Sequence, residues 1–378
     1  MPEQELSDYL TQCLSRLPTQ EVERPDGDVV LKAIEAQHGI FVERAQKIHS
    51  FAHLTFQEYF AASYIAAKPD LQTLLLQQVA DPRWREVVLL TASLLGDADE
   101  FIITFKATVD AMISSDNKLI KLLHWADDKA RQLESQNSQL ELRAFYTCLA
   151  CILDFAHDRA DARSLDIARA RARAGALNLA RALDLTRVPD LARDHDLASD
   201  IARDLDLIRS LDLDLALARA RALARSLNAT YVFNSVHTSS MDYLMLNNVR
   251  ILLIFLLARA NIERISIEKY NKLVKYLSDN ITQIKEWGFE QLSEQLTALM
   301  SNFPSRTAPA NEWQAFIDQL KQLLQTECNI AYEWRFTSKQ LITLADYLAA
   351  NTLLLECLNI VTVTDRTAIK NSLLLLPR

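Results

Sequence analysis

The chain has 378 residues, 49% hydrophobic and 24% charged, which is more chain than one simple core organises and enough apolar material for two or three. Its formal net charge of -8 argues against broad, unspecific nucleic-acid binding. Its five glycines are scattered, and neither G-x-x-x-x-G-K-[ST] nor G-x-G-x-x-G occurs, so the chain is not expected to hold a nucleotide unaided.

Taken in order, residues 5–17 form a first helix, and Pro25, Asp26 and Gly27 signal a turn. Asp28 is positioned to cap a helix over 29–38, with Gly39 at its left-handed end. Ile40 to Val42 and Ile48 to Phe51 are candidate strands, so that a helix is followed by a hairpin, as in the second half of a winged helix. Thr55 and Glu58 have capping-box spacing ahead of a helix that Pro69 stops near Ala67. Phe56, Tyr59, Phe60 and Ser63 share one face of that helix, and the three aromatic residues are expected in the core. Asp81 and Pro82 start the next helix, which ends at Gly96, and further helices cover about 98–113, 117–134 and 138–157.

Residues 161–228 change character: they hold eleven Asp and twelve Arg but no Glu, Lys, Phe, Tyr or Trp. Asp precedes Arg by three residues at 166/169, 184/187, 190/193, 200/203 and 206/209, where a helix makes them neighbours. The stretch reads as stacked, repeat-like helices with a break near Pro189 and a solvated charged surface. Normal composition returns from Ser239, with helices at about 239–261, 265–286, 288–301, 311–327, 338–359 and 365–375. The expected fold class is mainly α, in bundled or stacked helical hairpins, with a partial winged helix and its short β-hairpin near the N-terminus. The expected divisions are 1–68, 69–160, 161–236 and 237–378.

Residues 48–65 also carry a motif. The run from Phe51 through His53, Leu54, Thr55, Phe56, Gln57, Glu58, Tyr59 and Phe60 to Ala62 resembles the segment F-x-H-L-[ST]-F-Q-E-[FY]-F-A-A, which closes the winged-helix subdomain of NACHT proteins. Leu31 to Glu35, Gly39 to Arg44 and Asp81 to Val87 are similar to bacterial members, and Tyr347 to Pro377 is similar to the tail of cyanobacterial NACHT proteins. The chain thus resembles the C-terminal part of a STAND NTPase related to the NLR proteins. The resemblance implies a switch in which ADP holds the closed state through the winged helix, and ATP-bound subunits assemble once a trigger is sensed. It implies that His53 contacts the ADP phosphate when an NTPase module is present in cis or in trans. Magnesium, ATP and ADP belong to that complete architecture, and no cofactor is expected in this chain alone. It further implies an unknown protein trigger, oligomerisation on activation, and signalling or antiphage defence.

The remaining candidates are weaker. Cys148 and Cys151 form a C-x-x-C within an apolar helical run, without a second pair to complete a metal site. His49 and His53 are separated by strand and turn and lack a third ligand. Gln57 and Glu58 read as capping and packing residues. No nucleophile–base constellation can be assembled, so the chain is not expected to be an enzyme. Five cysteines, an odd number, read as reduced thiols, and the longest apolar run, 251–258, is too short to span a bilayer. A cytoplasmic, membrane-free protein is therefore expected. The alternative to the NACHT-type sensor is a stand-alone α-helical scaffold that binds another protein.

Overall fold

A computed structural model describes residues 1–16, 26–132, 139–153, 267–286, 289–330, 332 and 334–376. Among these the secondary structure is helical apart from one two-stranded antiparallel sheet. The expected helix over 239–261, the Asp/Arg-rich stretch and its break at Pro189 lie outside the described residues. The chain divides into two units, residues 1–105 with 357–364 and residues 106–356 with 365–378.

The first unit opens with α1 (Glu3–Ser15) packed against α2 (Gly27–His38). Gly27 permits the close approach: a Cβ there would lie 2.1 Å from the Ser7 carbonyl oxygen and 2.5 Å from Thr11 Oγ1. Its amide donates to Thr11 Oγ1 at 3.1 Å. The N-cap of α2 is Asp26 rather than Asp28, so the helix starts two residues before the expected point. It ends on Gly39 at φ 59°, a conformation glycine adopts without a Cβ clash.

Next, β1 (Phe41–Ala45) pairs with β2 (Ile48–Phe51), placing Phe41 opposite Phe51 and Glu43 opposite His49. Three rings, Phe41, Phe51 and Phe60, run from this hairpin onto α3 (Leu54–Ala66), with successive centroids 4.9 and 6.1 Å apart. Pro69 stops α3 as expected but also begins α4 (Pro69–Leu76), a helix the sequence pattern did not reveal. The pyrrolidine that cannot continue one helix is preorganised for the first turn of another. Asp81 accepts the Arg83 amide at 3.0 Å and caps a single 3-10 turn, Pro82–Trp84, that leads into α5 (Arg85–Leu94). Val87, Val88 and Ala92 of α5 are buried, with Ala62 of α3 and Leu75 and Leu76 of α4. In the first turn of α6 (Asp99–Ala111), Asp99 accepts from the Thr364 amide at 2.8 Å and from its hydroxyl. These bonds hold its carboxyl below the usual range.

The second unit contains α7 (Asn117–Arg131) and α8 (Gln139–Leu153), which pack as a hairpin. It also contains α9 (Ile267–Glu286), α10 (Glu290–Met300), α11 (Ala310–Cys328), most of α12 (Ser338–Ile360) and α13 (Arg366–Ser372). Asp116 caps α7 by accepting from the Lys118 and Leu119 amides. A reciprocal capping box opens α12: Thr337 Oγ1 accepts the Gln340 amide at 3.2 Å and Gln340 Oε1 accepts the Thr337 amide at 3.0 Å. Among the described residues, α12 alone is long and apolar enough to cross a membrane, yet 67% of its most apolar stretch is buried inside the protein, as in a core helix.

Candidate functional site

The residue singled out by the motif, His53, sits where the wing hands over to α3. Its backbone is extended (φ -129°, ψ 145°) and it is the N-cap of the helix. Its carbonyl accepts the Phe56 amide at 3.2 Å, while its imidazole is exposed and forms no side-chain cap. The ring instead lies 5.9 Å from that of Phe56. The expected capping box does not form: α3 begins at Leu54, so Thr55 is already inside the first turn and cannot act as N-cap. Gln57 is exposed and Glu58 half-buried.

Two features make this point electropositive. The amides of the first turn of α3 carry the positive end of the helix dipole. On the wing, Arg44 donates through Nε to Ser50 Oγ at 3.2 Å and through Nη2 to the Ala52 carbonyl at 3.1 Å, which fixes its guanidinium next to the chain entering His53. The sequence reading gave Arg44 no role; its place depends on strand register, which pairs Val42 with Ser50. A neutral or protonated imidazole, a guanidinium and helix-start amides can all donate to an anionic oxygen.

The helix behind His53 departs from expectation more sharply. Tyr59 and Phe60 are not core residues: each is 45% exposed, and Phe56 is half-buried. Leu54 is 66% and Tyr64 59% exposed, and Ala62 is the one buried residue of α3. Further along, the Lys68 ammonium lies 3.9 Å from the Tyr64 ring centroid and donates to its hydroxyl. Tyr9 of α1 is also largely exposed. A hydrogen bond from its phenol to the Cys13 side chain raises its pKa, with a smaller contribution from Tyr64. A helix apolar on all sides normally lies inside a core. Here it leaves Leu54, Tyr59, Phe60 and Tyr64 exposed, which makes the helix a candidate interaction surface.

The other candidates stand apart from this site. His49 is buried on β2, with Nε2 3.6 Å from Glu35 Oε2 and no partner at Nδ1. Cys148 and Cys151 fall within α8, but their side chains lie outside the described residues. Among the described residues no three His, Cys, Asp or Glu side chains are grouped to hold a metal ion. Burial pushes the Cys328 thiol up to about 11, which keeps it protonated at neutral pH.

Comparison with known proteins yields two family matches. Residues 1–65 match the family described as the winged helix-turn-helix domain C-terminal to NACHT, and residues 269–377 match NACHT C-terminal helical domain 2. No curated protein and no solved structure matches significantly. His53, Arg44 and the exposed face of α3 all fall within the first match.

Proposed function

We propose that this chain, which carries a NACHT-associated winged helix near one end and a NACHT-associated helical domain near the other, is the regulatory and sensing part of a NACHT-type switch. One observation carries the reading. A winged helix whose family lies C-terminal to NACHT leaves its last helix apolar and exposed, with a histidine at the open, electropositive end of that helix. In this reading the apolar face of α3 docks the NTPase module, in cis or in trans. The imidazole of His53 donates to the phosphate of ADP held by that module, with Arg44 adding positive charge beside it. The nucleotide then bridges module and winged helix and stabilises the closed state. Loss of that bridge frees the module to oligomerise. The helical region restrains the closed form and recognises a protein trigger, in antiphage defence or stress signalling, in the cytoplasm.

The chemistry of hydrolysis is assigned elsewhere, because no phosphate-cradling glycine loop occurs in this sequence. The chain alone should therefore neither hydrolyse ATP nor retain ADP. Calorimetric titration of ADP into the chain tests retention, and micromolar binding would overturn that expectation. Titration into the chain combined with a NACHT NTPase module tests the role of His53. ADP affinity should fall roughly tenfold or more in His53→Ala, the loss expected for a charge-assisted bond in a closed site. An unchanged affinity removes His53 from the site.

A further inference from the structure

The family match to the helical domain starts at residue 269, but the contacts do not. Residues 106–153 belong to the same compact unit as 267–356. What joins them is a set of side chains from α7 and α8 that end on main-chain carbonyls more than 190 residues away. Lys129 Nζ donates to the Cys328 carbonyl at 2.7 Å, and Trp125 Nε1 donates to the Asn329 carbonyl at 3.0 Å. Both acceptors lie at the C-terminal end of α11, where Asn329 takes the left-handed conformation (φ 51°). Lys118 Nζ donates to the Arg335 carbonyl at 3.1 Å, again at a left-handed residue. Arg143 donates through Nη2 to Asn371 and through Nη1 to Leu373, at 2.7 and 2.9 Å, where α13 ends. In the opposite sense, Gln340 donates to the Asp116 carboxylate that caps α7.

Helix ends leave carbonyls without intrahelical partners, and a buried carbonyl left without a donor is costly. Two helices of the family-matched region, α11 and α13, thus have carbonyls at their C-terminal ends capped by side chains outside that region. The donors are well placed for this: Lys129 and Arg143 are both buried, and positive charge suits a helix C-terminus. Arg143 also lies 3.8 Å from the buried Asp127 carboxylate. Apolar contact runs along the same seam, with Trp125 edge-on to Tyr332 and Trp334 at centroid distances of 6.4 and 5.8 Å.

We infer that the folding unit of the C-terminal helical domain extends beyond the family-matched region: it comprises residues 106–153 together with 267–356 and 365–376, and the α7–α8 hairpin is the obligatory occupant of the surface formed by the ends of α11 and α13. The region matched by the family is then incomplete as a folding unit without the hairpin.

The test uses the full chain with protease sites placed at 155–160 and 260–265. After folding and double cleavage, the fragment carrying α1–α8 and the fragment carrying α9–α13 should co-elute on gel filtration. Lys129→Met and Arg143→Met should each weaken their association roughly tenfold or more on dilution. Asp99→Asn, which alters the separate contact to Thr364, should leave the pair together. Separation of the wild-type fragments, or equal retention by both Met variants, overturns the inference. Hydrogen exchange on uncleaved wild-type protein decides the matter if a variant fails to fold. The slowest amides of α7 and α12 should then share one opening free energy and one denaturant dependence. Independent opening of α7 overturns the inference as well.

Discussion

Two helices of this protein are apolar on every side and meet opposite fates. In α12, Leu341, Ala345, Leu353, Cys357, Tyr347 and Leu344 are all buried, although they point around the whole circumference. In α3, Leu54, Tyr59, Phe60 and Tyr64 stand in the open. The hydrophobic effect drives both to leave water, and among the described residues α12 is surrounded by enough chain to do so while α3 is not. The difference teaches how to read such a helix: an apolar circumference is normally buried against something, and where the described residues leave it exposed, as in α3, it is a candidate docking surface.

The strongest way to break that comparison is to truncate a leucine in each helix. Leu354→Ala removes a fully buried side chain and should cost about 2–5 kcal/mol, while Leu54→Ala should stay within about 0.5 kcal/mol in the isolated chain. Urea unfolding monitored by circular dichroism reads both. Equal costs would mean that α3 is as well packed as α12. A smaller loss is expected at Gly27→Ala. The added methyl meets the Ser7 carbonyl oxygen, which belongs to helix backbone and cannot rotate away, so α1 and α2 must separate. Overpacking of this kind costs about 1–3 kcal/mol. The expected result is a lower unfolding midpoint for the winged helix, with α1 amides losing exchange protection. Unchanged protection of α1 would mean that the contact relaxes at little cost.

What the sequence made legible follows the range of the interaction. Gly39, the β-hairpin, the cap at Asp81 and the positions of the long helices depend on neighbouring residues, and they stand where local chemistry put them. Local ambiguity explains two departures. Pro69 is equally good as a stop and as a start, and it does both; His53 rather than Thr55 precedes the first helical residue, so the capping-box spacing lies two residues out of place. The aromatic residues of α3 were expected inside because periodicity reports which residues share a face, not what covers it. Arg44 beside His53 required the strand register, and the seam made by Lys129, Trp125 and Arg143 required pairings across most of the chain. His53 is a candidate through the family motif alone, since nothing in its local sequence separates it from an ordinary exposed histidine.

The comparison sharpens at the start of α3. His53 is an N-cap whose side chain caps nothing. A serine there could accept an amide of the first turn, and a capping side chain is typically worth about 1 kcal/mol. His53→Ser should therefore raise the unfolding midpoint of the isolated chain while weakening ADP retention once an NTPase module is joined. Opposite signs in the two assays would separate a role in the site from a role in the fold. Equal signs would assign the residue to the fold.

The smallest expected effect is the most informative one for α3. Tyr59→Ser and Tyr64→Ser remove exposed rings, so each should move the stability of the isolated chain by no more than about 0.5 kcal/mol. The same changes subtract apolar area from the face proposed to dock the NTPase module, where buried aromatic side chains contribute disproportionately to affinity. Pull-down of that module, or its co-elution with the chain, should weaken while the unfolding curve stays in place. If instead stability falls and docking is unaffected, the rings serve packing that their exposure conceals, and α3 belongs with α12 as a core helix rather than opposite it.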